Sequence, residues 1–374
     1  MTSDYIYIRT DAELGAHLQH WHTREWLALD TEFLREETYF PKLALIQVSD
    51  GGTPVCVDVQ SVNPAPVAAL LREAKILKVF HSASQDLEVL TTLAGVCPAP
   101  LFDTQVAAAM LGEAEQMGYA ALVEKRLGVK LGKEFTRLDW TRRPIPEGAL
   151  RYAADDVRYL AKLYPGLRDE LVARERLAWL EEDCARQTQT ARYQPNPAMA
   201  WQRLKGLARL EVPAQHRAAR LAAWREQAAM QRDRPRRWIL EDDLLCALAT
   251  RCPRTLDELA ALSPSPKQME RYAAAWLELL NAPVAETAPL KSETGWSGAQ
   301  KNLIGKLSAR IQSKAKELNI GAPLLATRSD IESLVRDGAN ADCALTRGWR
   351  REVIGEELLG SLSLRERDGV RDGP

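Results

Sequence analysis

The tripeptide Asp30-Thr31-Glu32 closes the apolar run Trp26-Leu27-Ala28-Leu29, and this junction constrains the fold more than any other segment. An apolar run of that length bounded by charge reads as a buried strand. Side chains two apart on a strand leave from the same face, so Asp30 and Glu32 are neighbours. Two carboxylates held together in a buried setting repel each other, and both lose water. A divalent cation offsets both penalties, and carboxylate oxygens are the donors that Mg²⁺ and Mn²⁺ prefer. The pair therefore predicts a metal site, provided that further carboxylates arrive from elsewhere in the chain.

A chain of 374 residues with 46% hydrophobic and 27% charged residues is that of a globular protein with two or three domains. No run reaches the eighteen or so apolar residues of a membrane span, and the N-terminus has no basic-then-apolar signal pattern. The six cysteines show no C-x-x-C spacing, which argues against a zinc site or a disulfide framework and suits a cytoplasmic protein.

Up to about residue 165, β-rich runs (26–33, 43–48, 55–59, 77–80 and 101–102) alternate with helical patterns (66–73, 83–93, 104–111 and 120–127). The first strands follow one another across turn signals such as Asp50-Gly51-Gly52 and read as an antiparallel meander. The later ones alternate with helices and need crossovers, so the expectation is a mixed sheet flanked by helices. Beyond Glu147 the pattern is helical. Gln194-Pro195-Asn196-Pro197 breaks it, and Asn281-Ala-Pro-Val-Ala-Glu-Thr-Ala-Pro289 breaks it again. The two helical segments suggest an internal repeat offset by 86 residues: Leu221, Trp238, Ile239, Leu245 and Leu248 fall opposite Leu307, Leu324, Leu325, Ile331 and Leu334. Between Cys184 and Trp238, twelve Lys or Arg stand against three acids, a balance of +9. Such a stretch either contacts a polyanion or is a solvated helix face, and charge alone leaves both open.

Two further places can deliver carboxylates to the pair. In His81-Ser-Ala-Ser-Gln-Asp86, the polar residues offer several N-caps, which puts Asp86 in the first turn of a helix after the strand 77–80. In Tyr152-Ala-Ala-Asp155-Asp156, residues 152 and 156 are four apart and share a helix face, while Asp155 points ~100° away. A phenol beside a metal-bound carboxylate can donate to or accept from an attacking water. Taken alone, Asp86 also suits a helix dipole, and Tyr152 also suits a core position.

Together these pieces resemble the three exonuclease motifs of the DEDD superfamily in its tyrosine branch, and more narrowly bacterial ribonuclease D. The segments Leu29-Asp-Thr-Glu-Phe33, Thr38-Tyr-Phe-Pro-Lys-Leu-Ala-Leu-Ile-Gln47, Phe102-Asp-Thr-Gln105, and Asp139-Trp140 through Tyr152-Ala-Ala-Asp-Asp-Val157 carry the likeness. The paired helical segments resemble that family's HRDC domains. The histidine branch would place His at position 151, where this chain has Arg151.

The resemblance implies an α/β nuclease domain with a ribonuclease H-like mixed sheet over 1–194. Two all-α HRDC-like domains would follow over 195–282 and 290–374. It implies two divalent ions, Mg²⁺ or Mn²⁺. Asp30 would bridge them, Glu32 and Asp156 would complete the site that activates water, Asp86 would support the second ion, and Tyr152 would orient the nucleophile. The activity implied is a metal-dependent 3′→5′ exoribonuclease that releases nucleoside 5′-monophosphates and trims tRNA precursors and other structured RNAs. The protein would be a cytoplasmic monomer, not bound to a membrane. A 3′→5′ DNA exonuclease and a non-catalytic RNA-binding scaffold are the competing readings. Phe33, which alternation sets toward core packing unless the chain turns there to stack it on a terminal base, and His81, which could touch a phosphate or be structural, are candidate RNA contacts. Arg217, Arg220 and Arg225 are further candidates on the basic stretch.

Overall fold

The computed structural model describes residues 4–369 apart from 133, 136–137, 263, 285–287 and 292–294, with side chains as far as 362. Six strands, β1 (Ile6–Ile8), β2 (Trp26–Leu34), β3 (Lys42–Ser49), β4 (Val55–Asp58), β5 (Leu77–Phe80) and β6 (Leu101–Asp103), make one sheet in the order β1-β4-β3-β2-β5-β6. β3 and β4 are antiparallel, with Ile46 opposite Val57. β5 is parallel to both β2 and β6, with Ala28 opposite Val79 and Val79 opposite Phe102. Parallel neighbours need crossovers. These are supplied by α2 (Ala65–Leu71) before β5 and α3 (Ser84–Ala94) before β6. The sheet is therefore mixed and helix-flanked, as expected.

Two elements at the start were not anticipated. β1 pairs parallel to β4, and helix α1 (Asp11–Trp21) follows it. Thr10 and Glu13 close a capping box on α1, satisfying amides that its first turn would leave unpaired.

Leu27 and Leu29 of β2 enter the larger core, and alternation turns Asp30 and Glu32 to the other face. On that face Ala44, Leu45 and Cys56 pack against Ala149, Leu150 and Ala153 of a 27-residue helix. After α4 (Thr104–Met110) and α5 (Tyr119–Leu127), this helix is α6 (Glu147–Ala173), and α7 (Leu177–Gln187) ends the series. Burial of small residues lets α6 lie close to the sheet, which brings its polar positions to the end of β2. Among the described residues, no helix is long and apolar enough to cross a membrane.

The chain divides into two compact units, Met1–Phe33 with Leu43–Tyr193 and Trp296–Pro374, and Leu34–Lys42 with Gln194–Gly295. This grouping differs from three consecutive domains. In the first unit, the segment after residue 296 shares the core of the sheet, with Leu307, Ile311, Leu325 and Leu334 in the same apolar cluster. Its Arg350 forms a two-pronged ion pair with Asp183 of α7, at 2.6 and 2.8 Å, and Trp349 stacks on Trp179 at 4.4 Å. In the second unit, Tyr39 is buried among the helices. Asp233 accepts from the amides of Tyr39 and Phe40 at 3.0 Å, and the Tyr39 hydroxyl donates to Glu226.

The suggested 86-residue offset is present in the helices themselves. In the second unit, α8 (Val212–Arg232), α9 (Arg236–Ile239) and α10 (Asp242–Arg251) are followed by α11 (Leu256–Ala260) and α12 (Pro266–Asn281). In the first, α13 (Gly298–Leu318), α14 (Ala322–Leu325) and α15 (Arg328–Asp337) repeat α8, α9 and α10 in length at that spacing. The positive-φ residues recur too: Asp233 (φ 47°) matches Asn319 (φ 51°), and Cys252 (φ 49°) matches Gly338 (φ 55°). Four of the five paired apolar positions are buried in both copies. The exception is Trp238, which is 46% exposed.

Candidate active site

β2 delivers Asp30 and Glu32, and α6 delivers Asp156. One carboxylate oxygen from each of the three lies within 4.8 Å of the others. Asp86 stands just outside this trio, in the first turn of α3, where it accepts from the Thr31 hydroxyl at 2.5 Å. These four acids sit in a cleft of about 1020 Å³, which Phe33 and Tyr152 also line.

The electrostatics of the four acids point one way. Burial, then Asp86, Asp156 and Glu32, hold the Asp30 carboxyl well above the usual carboxylate range. Glu32 is pushed up to about 9 by burial, then by Asp156 and Asp86. Asp156 rises to about 8 through burial, then Asp155 and Asp86. Asp86 rises to about 6 through burial, opposed by its hydrogen bond from Thr31. No lysine or arginine is among the main influences on any of the four. The described residues thus bring four acidic side chains together in one cleft, and such a donor set fits a hard divalent cation.

Tyr152 lies one turn before Asp156 on α6. Its ring sits 6.1 Å from Phe135 and 6.4 Å from Trp140, between centroids. Burial, then Asp156, Glu32 and Asp30, push its phenol up, so it keeps its proton and remains a hydrogen-bond donor. Asp155 also lines the cleft, with its carboxylate paired to Arg158 at 2.8 Å.

Known proteins fall in line with this geometry. The sequence model described as 3′-5′ exonuclease matches residues 5–172, and the HRDC domain model matches 214–280. A ribonuclease D of Pseudomonas paraeruginosa is 38% identical over 370 residues, covering 95% of this chain and 97% of its own length. The chain belongs to the ribonuclease D family. A ribonuclease D of Xanthomonas oryzae pv. oryzae is also 38% identical, covering 91% of this chain and 94% of its own. The crystal structure of Escherichia coli RNase D, described as an exoribonuclease involved in structured RNA processing, superposes with a TM-score of 0.88. It is 30% identical and covers 96% of this chain and 98% of its own.

As a member of the ribonuclease D family, the protein is a hydrolase, a 3′→5′ exoribonuclease that acts on RNA and depends on divalent metal ions. That membership decides between the RNA and DNA readings, and against the scaffold. Four acids and a tyrosine are in place in the cleft of an exonuclease fold.

The other candidate residues fare unevenly. Phe33 is partly exposed and lines the cleft. His81 has both ring nitrogens engaged, Nε2 with the Met117 carbonyl and Nδ1 with the Thr104 hydroxyl, each at 3.0 Å. Burial lowers its pKa, so it is a neutral ring that donates from Nε2 to Met117, which is the structural of its two readings.

Arg225 is a correction. It is 5% exposed, and its Nη1 donates to the Leu240 carbonyl at 2.9 Å and to Asp242 at 2.6 Å, so it is not a surface contact. Arg217 and Arg220 donate to Ala249 and Ala282, carbonyls at the ends of α10 and α12. Three of the stretch's arginines thus cap helices, because guanidinium groups satisfy terminal carbonyls that a charge count cannot reveal.

Sequence reasoning missed Thr31 and Tyr119. Thr31 lines the same cleft between the two acids of β2, and the turn that follows β5 is what brings Asp86 to it. Tyr119 donates to the backbone carbonyls of Asp155 and Asp156. No motif marks a partner that is main chain.

Proposed function

We propose that Asp30, Glu32, Asp86 and Asp156 hold two divalent cations, Mg²⁺ or Mn²⁺, with Asp30 shared between them. When bound, the ions supply Lewis-acid stabilisation to the attacking and leaving oxygens of an in-line phosphoryl displacement. The residues do the rest. Tyr152, kept protonated, hydrogen-bonds the attacking water and fixes its direction. Phe33 stacks beside the terminal base and holds the last phosphodiester over the acids. The observation that carries this reading is geometric: oxygens of Asp30, Glu32 and Asp156 within 4.8 Å of one another, with Asp86 and Tyr152 lining the same cleft.

The substrate class is structured RNA with a single-stranded 3′ end, with tRNA precursors foremost, processed by a cytoplasmic monomer. The segments 195–282 and 290–374 are two HRDC-like modules; the shared offset of their first three helices supports this. A 5′-labelled tRNA carrying a 3′ extension should shorten as a ladder from the 3′ end, and EDTA should stop it. A product of fixed internal cleavage, or trimming that resists EDTA, would sink the proposal.

For RNA binding by the second unit, the exposed Trp238 is a better candidate than Arg225. Arg234 lies 5.7 Å from its ring, and Arg237 beside it is exposed. An exposed indole among cations offers a stacking surface for any base. Trp238→Ala should weaken RNA binding roughly tenfold. Changing Arg234 and Arg237 to Gln should lower the salt slope by about one for each phosphate that is no longer neutralised. Filter binding across a salt series measures both, and unchanged affinity and slope would exclude this surface.

A further inference from the structure

The end of β6 and the start of α4 carry Asp103-Thr104-Gln105, none of which touches the cleft acids directly, yet their bonds run toward two of those acids. The Asp103 side chain is 2% exposed and accepts three backbone amides: Ser82 at 3.0 Å, Ala83 at 2.9 Å and Gln105 at 2.9 Å. Ser82 is held with φ at +59°, a conformation that costs a non-glycine residue free energy and persists only where its surroundings enforce it. The enforcing group is the Asp103 carboxylate, which draws two successive amides onto itself. Ala83 is the residue from which α3 starts, and Asp86 follows within the first turn. The Thr104 hydroxyl secures the same turn, 3.0 Å from both the Phe80 carbonyl and His81 Nδ1.

A second line of bonds leaves the same tripeptide. Gln105 Nε2 and His81 Nε2 both donate to the Met117 carbonyl, at 3.1 and 3.0 Å. Met117 precedes Gly118, the N-cap of α5, and Tyr119, whose ring lies 5.4 Å from that of His81. The Tyr119 hydroxyl then donates to the carbonyls of Asp155 and Asp156 on α6. One line thus ends at the turn that launches Asp86, and the other ends at the turn of helix that carries Asp156.

We infer that Asp103-Thr104-Gln105 is the positioning element of the active site, setting Asp86 through the 81–83 turn and Asp156 through Met117 and Tyr119. The inference rests on the reading of Asp86 and Asp156 as cation ligands. The physical reason is that a metal site tolerates little displacement. A shift of about 1 Å in a reacting group can cost on the order of a hundredfold in rate, and removing an outer partner of a ligand lowers metal affinity or activity by about 10- to 100-fold. Asp103→Asn sets an NH₂ against backbone N–H donors and removes the charge that holds them.

The test uses the full chain and compares Tyr119→Phe, Gln105→Leu and Asp103→Asn, with Asp86→Asn and Asp156→Asn as controls. Two readouts are taken at 25 °C: trimming of an oligoribonucleotide, and calorimetric Mn²⁺ binding to the RNA-free protein. Tyr119→Phe and Gln105→Leu should lower kcat about tenfold, and Asp103→Asn about a hundredfold, with KM for RNA unchanged and Mn²⁺ bound more weakly by similar factors. A merely structural role would lower the melting temperature but leave kcat and Mn²⁺ affinity as they are, and that result overturns the inference. Tyr119→Phe removes only the bonds to the Asp155 and Asp156 carbonyls, and Gln105→Leu only the bond to Met117, so they decide the matter even if Asp103→Asn does not fold. If Asp86→Asn and Asp156→Asn keep wild-type kcat and Mn²⁺ affinity, it is the assignment of the ligands that fails.

Discussion

Asp30→Asn should lower trimming by about a thousandfold or more, leave RNA binding intact, and raise the melting temperature of the metal-free protein. The first effect follows from geometry. Asp30 is one of the three acids whose oxygens lie within 4.8 Å of one another, and the amide that replaces it is isosteric but lacks the charge. A thousandfold corresponds to about 4 kcal/mol of transition-state stabilisation, a modest demand on a site that balances developing phosphoryl charge. The second effect follows because RNA is also held by surfaces that Asp30 does not reach. The third is the opposite of what a structural residue would show. Burial and three acidic neighbours oppose ionisation of the Asp30 carboxyl and raise its pKa, so an uncharged Asn removes that penalty from a site built for function rather than stability. Asp169→Asn is the control, since Asp169 is exposed on α6, pairs with Arg168 away from the cleft, and should leave kcat unchanged. An Asp30→Asn protein that still trims RNA with Mg²⁺, or that melts lower without metal, would contradict this account.

The acids were legible in the sequence because each sits in a local pattern of known period. Two-residue spacing on β2 and four-residue spacing on α6 fix which side chains share a face, and a strand-to-helix junction fixes where Asp86 starts. β1 was not legible, since three residues carry too little alternation to register. α1 was missed although its Thr10-x-x-Glu13 capping box is a readable signal. Tyr39 shows where local reading ends. It lies six residues past Phe33 in sequence, yet its partner Glu226 is 187 residues away, and nothing in either segment announces the other. Arg225 shows a different limit. Composition counts a charge wherever it stands, whereas the fold uses this one to satisfy the Leu240 carbonyl and Asp242 inside the helices. The internal repeat was legible as five apolar coincidences because cores recur in register. The positive-φ caps that share its offset needed the backbone to be seen.

The metal-free protein should lose stability as pH rises from 6.5 to 8, and a divalent cation should restore it. Asp30, Glu32 and Asp156 have folded pKa values raised above their unfolded values near 4, to about 9 for Glu32 and about 8 for Asp156. Between the unfolded and folded values, the native state binds more protons than the unfolded chain. Their contribution is therefore fully present below pH 4 and is lost as pH climbs through the folded values. Other groups set the window. Asp58, Asp183 and Glu226 have lowered pKa values, so their contributions are lost only in acid. His17 and His81 are also lowered, and they favour the native state as pH rises to about 6.5. Burial lowers Lys78 to about 8, so it opposes the trend only above that pH. Between pH 6.5 and 8 the cleft acids dominate, and the melting temperature should fall by roughly 2 °C or more per pH unit. Mg²⁺ or Mn²⁺ should abolish the slope, because the ion takes the place of the protons and its binding tightens with pH as they leave. Asp156→Asn should flatten the slope without metal, which ties the effect to the cleft. Calorimetric melting in EDTA at three pH values decides it, and a flat or rising melting temperature would separate these carboxyls from the repulsion assigned to them.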